Sequence, residues 1–161
     1  MTLYFYGHRG PYGELSNFYP CSFEYMDHRC ESSEQAFMMA KAAFFGDEQA
    51  LERIKQMRTP LACKLLGRSV QGYSEAEWVA VRYDKMVEIL RCKFANPALK
   101  ELLLGTGAQR LAEASPNDNV WGIGLTAHVA RSGARWRGYN LLGDALMAVR
   151  EELNCDIRDA R

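Results

Sequence analysis

The sequence predicts a mainly helical α+β fold with a small β subdomain on its N-terminal side. Two observations carry this expectation. The first thirty residues are rich in β-formers and broken by glycine and proline, whereas from Ser33 onward apolar residues recur at helical spacing. The later segments also open at capping residues and close at or near glycine. A chain of 161 residues is expected to form a single domain over 1–161, burying roughly 70% of its unfolded surface.

Thr2 to Tyr6 reads as a strand, and Gly7, Gly10, Pro11 and Gly13 break the chain into a loop. Ser22 to Tyr25 and His28 to Cys30 flank Met26-Asp27 as a short hairpin. Ser33 is expected to cap a helix carrying Ala36, Phe37, Met39, Ala40 and Ala43, which stops at Gly46. Asp47 caps the next, with Leu51, Ile54 and Met57 on one face. Pro60 at a first-turn position starts Leu61 to Leu66, and Gly67 closes it. Ser74 and Glu77 make a capping box for a helix to about Phe94, with Trp78, Val81, Met86, Ile89 and Leu90 on its apolar side. Asn96-Pro97 opens a helix ending at Gly105. Arg110 to Ala114 alternates as a short strand, and Pro116 to Gly124 is turn-rich. Asn140 is expected to cap a last amphipathic helix carrying Leu142, Leu146, Val149 and Leu153.

Twenty Lys and Arg balance twenty Asp and Glu, so no global field recruits nucleic acid or an anionic membrane. Hydrophobic residues at 48% and charged residues at 25% are ordinary for a globular protein. Five cysteines, none in a C-x-x-C pair, argue against a zinc knuckle and a disulfide framework. His8, His28 and His128 lack metal-ligand spacing. The opening MTLYFYGHRG lacks the regions of a signal peptide, and no apolar run approaches the ~20 residues that span a bilayer. A cytoplasmic protein with reduced thiols is expected, with no cofactor and no metal.

Four segments set polar residues beside aromatics where a plain core needs none. They are Leu15-Ser16-Asn17-Phe18-Tyr19, Glu31 to Phe37 with Lys41 beyond, Lys64 to Arg68, and Asn117 to Gly124. With Trp78, Arg82 and Met86, Lys93-Phe94, and N-L-L-G-D-A-L-M-A-V-R at 140–150, these pieces resemble the YbiA-like, or NADAR, family in the family's order. The resemblance covers about Phe5 to Leu153. It implies an N-glycosidase that needs no metal. Known activities of the family include cleaving phosphorylated ribosylamino-pyrimidine intermediates of riboflavin synthesis, and other members remove ADP-ribose from a base. The family's essential acids and tryptophans match Glu34, Trp78, Asp118 and Trp121.

That chemistry suits the residues. Breaking an N-glycosidic bond builds positive charge on the ribose and negative charge on the departing base. One carboxyl group protonates the base while another stabilises the ribose centre and activates water. The resemblance thus implies Glu34 and Asp118 as the catalytic pair, expected to line one concave site with Trp78 and Trp121. Asn17, Trp78, Trp121, Lys41, Lys64 and Arg68 are the expected substrate-binding residues, aromatic faces for the base and cations for phosphate.

Each residue has a plainer reading. Glu34 suits a helix N-terminus in any protein, and Asn117-Asp118-Asn119 is ordinary turn chemistry. Trp78 lies on an apolar helix face. Lys64 and Arg68, four apart, also read as a solvated face. Arg131, Arg135 and Arg137 near Trp136 form the best local basic patch, either solvated or contacting polyphosphate. The expected partner is a small ribosylated base or ADP-ribose-type ligand, with nucleic acid only as an ADP-ribosylated substrate. The alternatives are a non-catalytic ADP-ribose or nucleotide-binding module and an ADP-ribosyl-base hydrolase.

Overall fold

A computed structural model describes all residues from Met1 to Arg161. In chain order the elements are β1 (Thr2–Phe5), a 3-10 turn (Gly13–Leu15), β2 (Phe23–Tyr25), β3 (His28–Cys30), α1 (Ser33–Phe44), α2 (Glu48–Gln56), α3 (Pro60–Gly67), α4 (Glu75–Lys93), α5 (Pro97–Gly105), β4 (Arg110–Glu113), α6 (Ala127–Arg131) and α7 (Leu141–Asp159). The fold is α+β and mainly helical, as the periodicity predicts. No helix is long and apolar enough to cross a membrane. The chain divides into two compact units, one continuous over Asn17–Asn96 and one joining Met1–Ser16 to Pro97–Arg161.

In the continuous unit, β2 and β3 pair antiparallel with Phe23 opposite Cys30 and Tyr25 opposite His28. Met26 and Asp27 both take positive φ, 50° and 55°, the backbone of a tight two-residue hairpin turn. Helix α1 packs on α2, α3 and α4. Its cap differs from the sequence expectation. Ser32, not Ser33, is the capping residue, its Oγ accepting from Gln35 N–H at 3.1 Å. The Glu31 N–H donates to the Gln35 side chain at 2.8 Å, which closes the turn from the other side. Ser33 becomes the first helical residue.

Asp47, Thr59 and Ser74 cap α2, α3 and α4, each accepting from the amide three residues on. The buried face of α4 is Trp78, Met86, Val87, Ile89, Leu90 and Lys93. Each fully buried Ile or Leu contributes roughly 1.5–3 kcal/mol of transfer free energy. Lys93 is the exception on that face. It is fully buried, with its ammonium 5.9 Å from the Tyr19 ring centroid and 5.2 Å from that of Phe94.

In the discontinuous unit, β1 and β4 pair in parallel, Leu3 beside Leu111 and Phe5 beside Glu113. Helix α7 packs on β4 and α5. Ala112, Ala114, Ile123, Leu125 and Ala130 form a small core against which Tyr4 and Trp136 pack. Helix α6, capped by Thr126, is absent from the sequence expectation, being too short to show a period. Asn140 precedes α7 as predicted, but its side chain makes no cap hydrogen bond.

All five cysteines are free. Burial pushes the Cys30 thiol up to about 12, and neighbouring Glu24 adds to the rise. Tyr25 is likewise raised to about 12, mainly by burial and then by Glu88.

Candidate functional site

The segment entering α1 gathers several of the expected residues. Glu34 is in its first turn and only 9% exposed. Its amide donates to the Asn17 carbonyl at 3.0 Å, which fixes Asn17 against the helix start. Asn17 is itself buried, and its Oδ1 has no hydrogen-bond partner; the same holds for Ser33 Oγ and Arg82 Nε. Buried polar atoms without partners cost about 1–3 kcal/mol each. Their concentration around α1 and α4 is unusual for a merely structural corner.

One face of α1 is walled by aromatics. The Phe37 and Trp78 rings lie 5.2 Å apart, and Phe44 and Phe45 stand 6.0 and 6.1 Å from Trp78. Trp78 is therefore buried at 5% exposure within an aromatic cluster, the packing role its helix face suggests. Lys41, two turns beyond Glu34, donates to the Gly67 carbonyl at 2.8 Å. Its ammonium stands 4.5 Å from the centroid of the Tyr73 ring. Burial lowers the Lys41 pKa from 10.5, against the opposing pull of Glu75 and Glu34. Glu34 also helps raise Cys63, which burial pushes up to about 11.

Lys64 and Arg68 are exposed. Lys64 places its ammonium 5.7 Å from the Phe18 ring, beside Asn17 in sequence. Arg68 is the C-cap of α3 and keeps helical backbone angles, φ -71° and ψ -20°. A pocket of about 480 Å³ in the same unit, lined by Arg29, Glu31 and Arg58 among others, contains none of the expected site residues.

In the other unit, Asp118 opens the tight turn that carries Trp121. Asp118 Oδ1 accepts from the amides of Val120 at 2.9 Å and Trp121 at 2.8 Å. The turn reading of Asn117 to Asn119 is thus realised, with one carboxylate oxygen bound to backbone. Asp118 and Trp121 are both half-buried. The carbonyls of Val120 and Trp121 accept from Leu141 and Leu142 N–H, 3.1 Å each. The loop therefore satisfies donors of the first turn of α7.

Arg131, Arg135 and Arg137 are all exposed, and Arg131 and Trp136 also take part in a stack. Arg110 covers the Trp136 ring at 4.2 Å, Arg131 approaches Tyr4 at 5.4 Å, and the Tyr4 and Trp136 rings are 6.4 Å apart. No group of three or more His, Cys, Asp or Glu side chains is arranged to hold a metal ion.

Sequence reasoning missed Ser33 as an orphaned polar side chain, and it missed buried Lys93. The signal for Lys93 was present: it continues the apolar stripe of Met86, Ile89 and Leu90, where a solvated lysine has no place.

The sequence signature of the NADAR domain matches residues 4–154 of the chain. The chain belongs to the NADAR domain family. Among relatives of this NADAR domain, an N-glycosidase of Acanthamoeba polyphaga mimivirus is 39% identical over 146 residues, 86% of each chain. The N-glycosidase YbiA of Escherichia coli (strain K12) is 32% identical, covering 92% of this chain and 86% of its own. A riboflavin biosynthesis protein of Vibrio vulnificus is 35% identical over 95% of the NADAR domain chain and 39% of its own length. The NMR structure of the E. coli protein YbiA superposes with a TM-score of 0.80 at 31% identity, covering 96% of this chain and 86% of that one.

Proposed function

We propose that this NADAR domain hydrolyses the bond between a ribose phosphate and a nitrogen base, with phosphorylated ribosylamino-pyrimidines as its substrate class. The enzyme class follows from kinship: relatives at 39%, 34% and 32% identity are named N-glycosidases, and this chain is a hydrolase of N-glycosyl bonds. The substrate class is supported by the riboflavin biosynthesis protein among the relatives.

The observation that carries the reading is Glu34. It is a carboxyl group about nine-tenths buried on the first turn of the helix that also carries Phe37 and Lys41, a lysine whose pKa partial burial lowers. A largely buried carboxyl group near a lysine is the kind of group that acid–base catalysis uses. In this mechanism Glu34 donates its proton to the departing nitrogen as the C1′–N bond breaks. The Asp118 carboxylate stabilises the developing positive charge at C1′ and takes a proton from the incoming water, whose oxygen bonds to C1′. Its Oδ1, held by two backbone amides, fixes the direction of that carboxylate. Half-buried Trp121 stacks on the base, and Asn17 binds the sugar. Lys41, Lys64 and Arg68 answer the phosphate.

The test is a panel of ribosylamino-pyrimidine phosphates, NAD, ADP-ribose and ADP-ribosylated bases, read by release of free base. Release from the ribosylamino-pyrimidine phosphates supports the reading. Release only from ADP-ribosylated bases would move the substrate class, and binding without release from any would make the chain a nucleotide-binding module.

A further inference from the structure

We infer that Asn140 is a positioning residue for the loop bearing Asp118 and Trp121, its side-chain amide standing in for a strand beside β4. The inference rests on the reading that this loop takes part in the reaction. Strand β4 pairs with β1 along one edge. Along β4, the Asn140 amide makes the two hydrogen bonds that a neighbouring strand residue would make. Its Nδ2 donates to the Leu111 carbonyl at 2.9 Å, and its Oδ1 accepts from the Glu113 N–H at 3.1 Å. The Ile123 N–H then donates to the Glu113 carbonyl at 2.9 Å, which brings the loop itself alongside.

The backbone of Asn140 ties in the remaining pieces. Its N–H donates to the Gly122 carbonyl at 3.1 Å, and its carbonyl accepts from the Asp144 N–H at 3.0 Å, starting α7. This residue therefore joins β4, the loop and α7 while only 1% exposed. Its φ of 56° is left-handed, a region asparagine tolerates better than most residues. Gly143 packs against the same amide so closely that a Cβ there would stand 2.4 Å from Asn140 Nδ2 and 2.2 Å from the Leu111 oxygen. The site demands a planar group with one donor and one acceptor on a left-handed backbone. Aspartate lacks the donor and turns an oxygen toward the Leu111 carbonyl; glycine keeps the backbone but lacks both groups. An anchor at Gly122 sets the loop within a few residues of both Asp118 and Trp121. Shifts of about 1 Å in such groups cost up to about 100-fold in rate.

The experiment compares Asn140→Asp and Asn140→Gly with Thr106→Val and Asp118→Asn. Turnover of a ribosylamino-pyrimidine phosphate is measured per folded molecule, well below each melting midpoint. Thr106→Val removes the acceptor of Arg150 Nη1, a 2.7 Å bond in the same unit that does not touch the loop. It reports what destabilisation alone does. Asn140→Asp and Asn140→Gly are expected to lower kcat by about tenfold or more with little change in KM. Thr106→Val should lower the melting temperature and leave kcat unchanged. Full kcat in a folded Asn140 variant, with Asp118→Asn inactive, would overturn the positioning role alone. Full kcat in Asp118→Asn would overturn the role of the loop and the positioning role together. If neither Asn140 variant folds, the measurement passes to Gly143→Ala, whose methyl group presses on both the Asn140 amide and the Leu111 carbonyl it bonds; full kcat there would also overturn the role.

Discussion

The Lys41 ammonium stands 4.5 Å from the centre of the Tyr73 ring, a cation held against an aromatic face and bonded to the Gly67 carbonyl. Burial lowers its pKa from 10.5 despite the attraction of Glu75 and Glu34. Between the lowered value and 10.5 the unfolded chain holds more protons at this site than the folded one, so this group's contribution to stability rises with pH there. Below that window the cost of the buried charge is present in full. Urea midpoints of the wild type minus those of Lys41→Met should therefore climb as pH rises toward 10.5. A flat difference across that range would show that Lys41 titrates normally.

Thiol reactivity should follow burial. Cys63 lies near 11 and Cys30 near 12, whereas Cys155 is exposed. At pH 8 a thiol of pKa 11 is thiolate in about one molecule in a thousand. Alkylation of the native protein, mapped by mass spectrometry, should label Cys155 first and reach Cys30 and Cys63 only on unfolding. Early labelling of Cys63 would mean that its surroundings open in the native state.

The two acids should be separable by leaving group. Glu34→Gln and Asp118→Asn are each expected to reduce kcat by about 100-fold or more, with ligand affinity largely kept. On a substrate whose base departs without protonation, Glu34→Gln should recover much of its rate and Asp118→Asn should not. Recovery in Asp118→Asn alone would exchange their roles.

Gly138→Ala tests how tightly the loop is built. A Cβ at that position would lie 2.2 Å from the Gly122 oxygen, 2.8 Å from Asn119 Cα and 2.9 Å from Ile123 C, all backbone atoms unable to swing away. The substitution should cost about 1–3 kcal/mol by urea denaturation. A neutral result would show that the segment Arg137–Asn140 slides freely along the loop.

The sequence was most readable where local chemistry decides structure. Asp47, Pro60, Ser74 and the Met26-Asp27 turn mark their elements directly, because caps and tight turns involve near neighbours. Ser32 and Ser33 could not be ranked from sequence, since either can cap and the choice depends on where the chain enters α1. Asn140 was harder still. Its place before α7 was legible, but its side chain ignores its own helix and bonds β4, nearly thirty residues earlier. The parallel pairing of β1 with β4 leaves no mark in either segment for the same reason. Of the candidate site, the chemical types were visible as polar residues set among aromatics. The burial of Trp78 and the stacking of Arg110 on Trp136 depend on packing between segments far apart in sequence.

The pairing of β1 with β4 also shapes how the molecule is made. Thr2 emerges from the ribosome before its partner Arg110, with the whole Asn17–Asn96 segment synthesised between them. The intervening segment has its hairpin and four helices available meanwhile, with contacts drawn from its own stretch. Nascent β1 must wait as an unpaired strand, which exposes it to wrong partners during that interval. Slowing elongation downstream of Asn96 prolongs that wait, so codon choice there bears on the yield of folded enzyme.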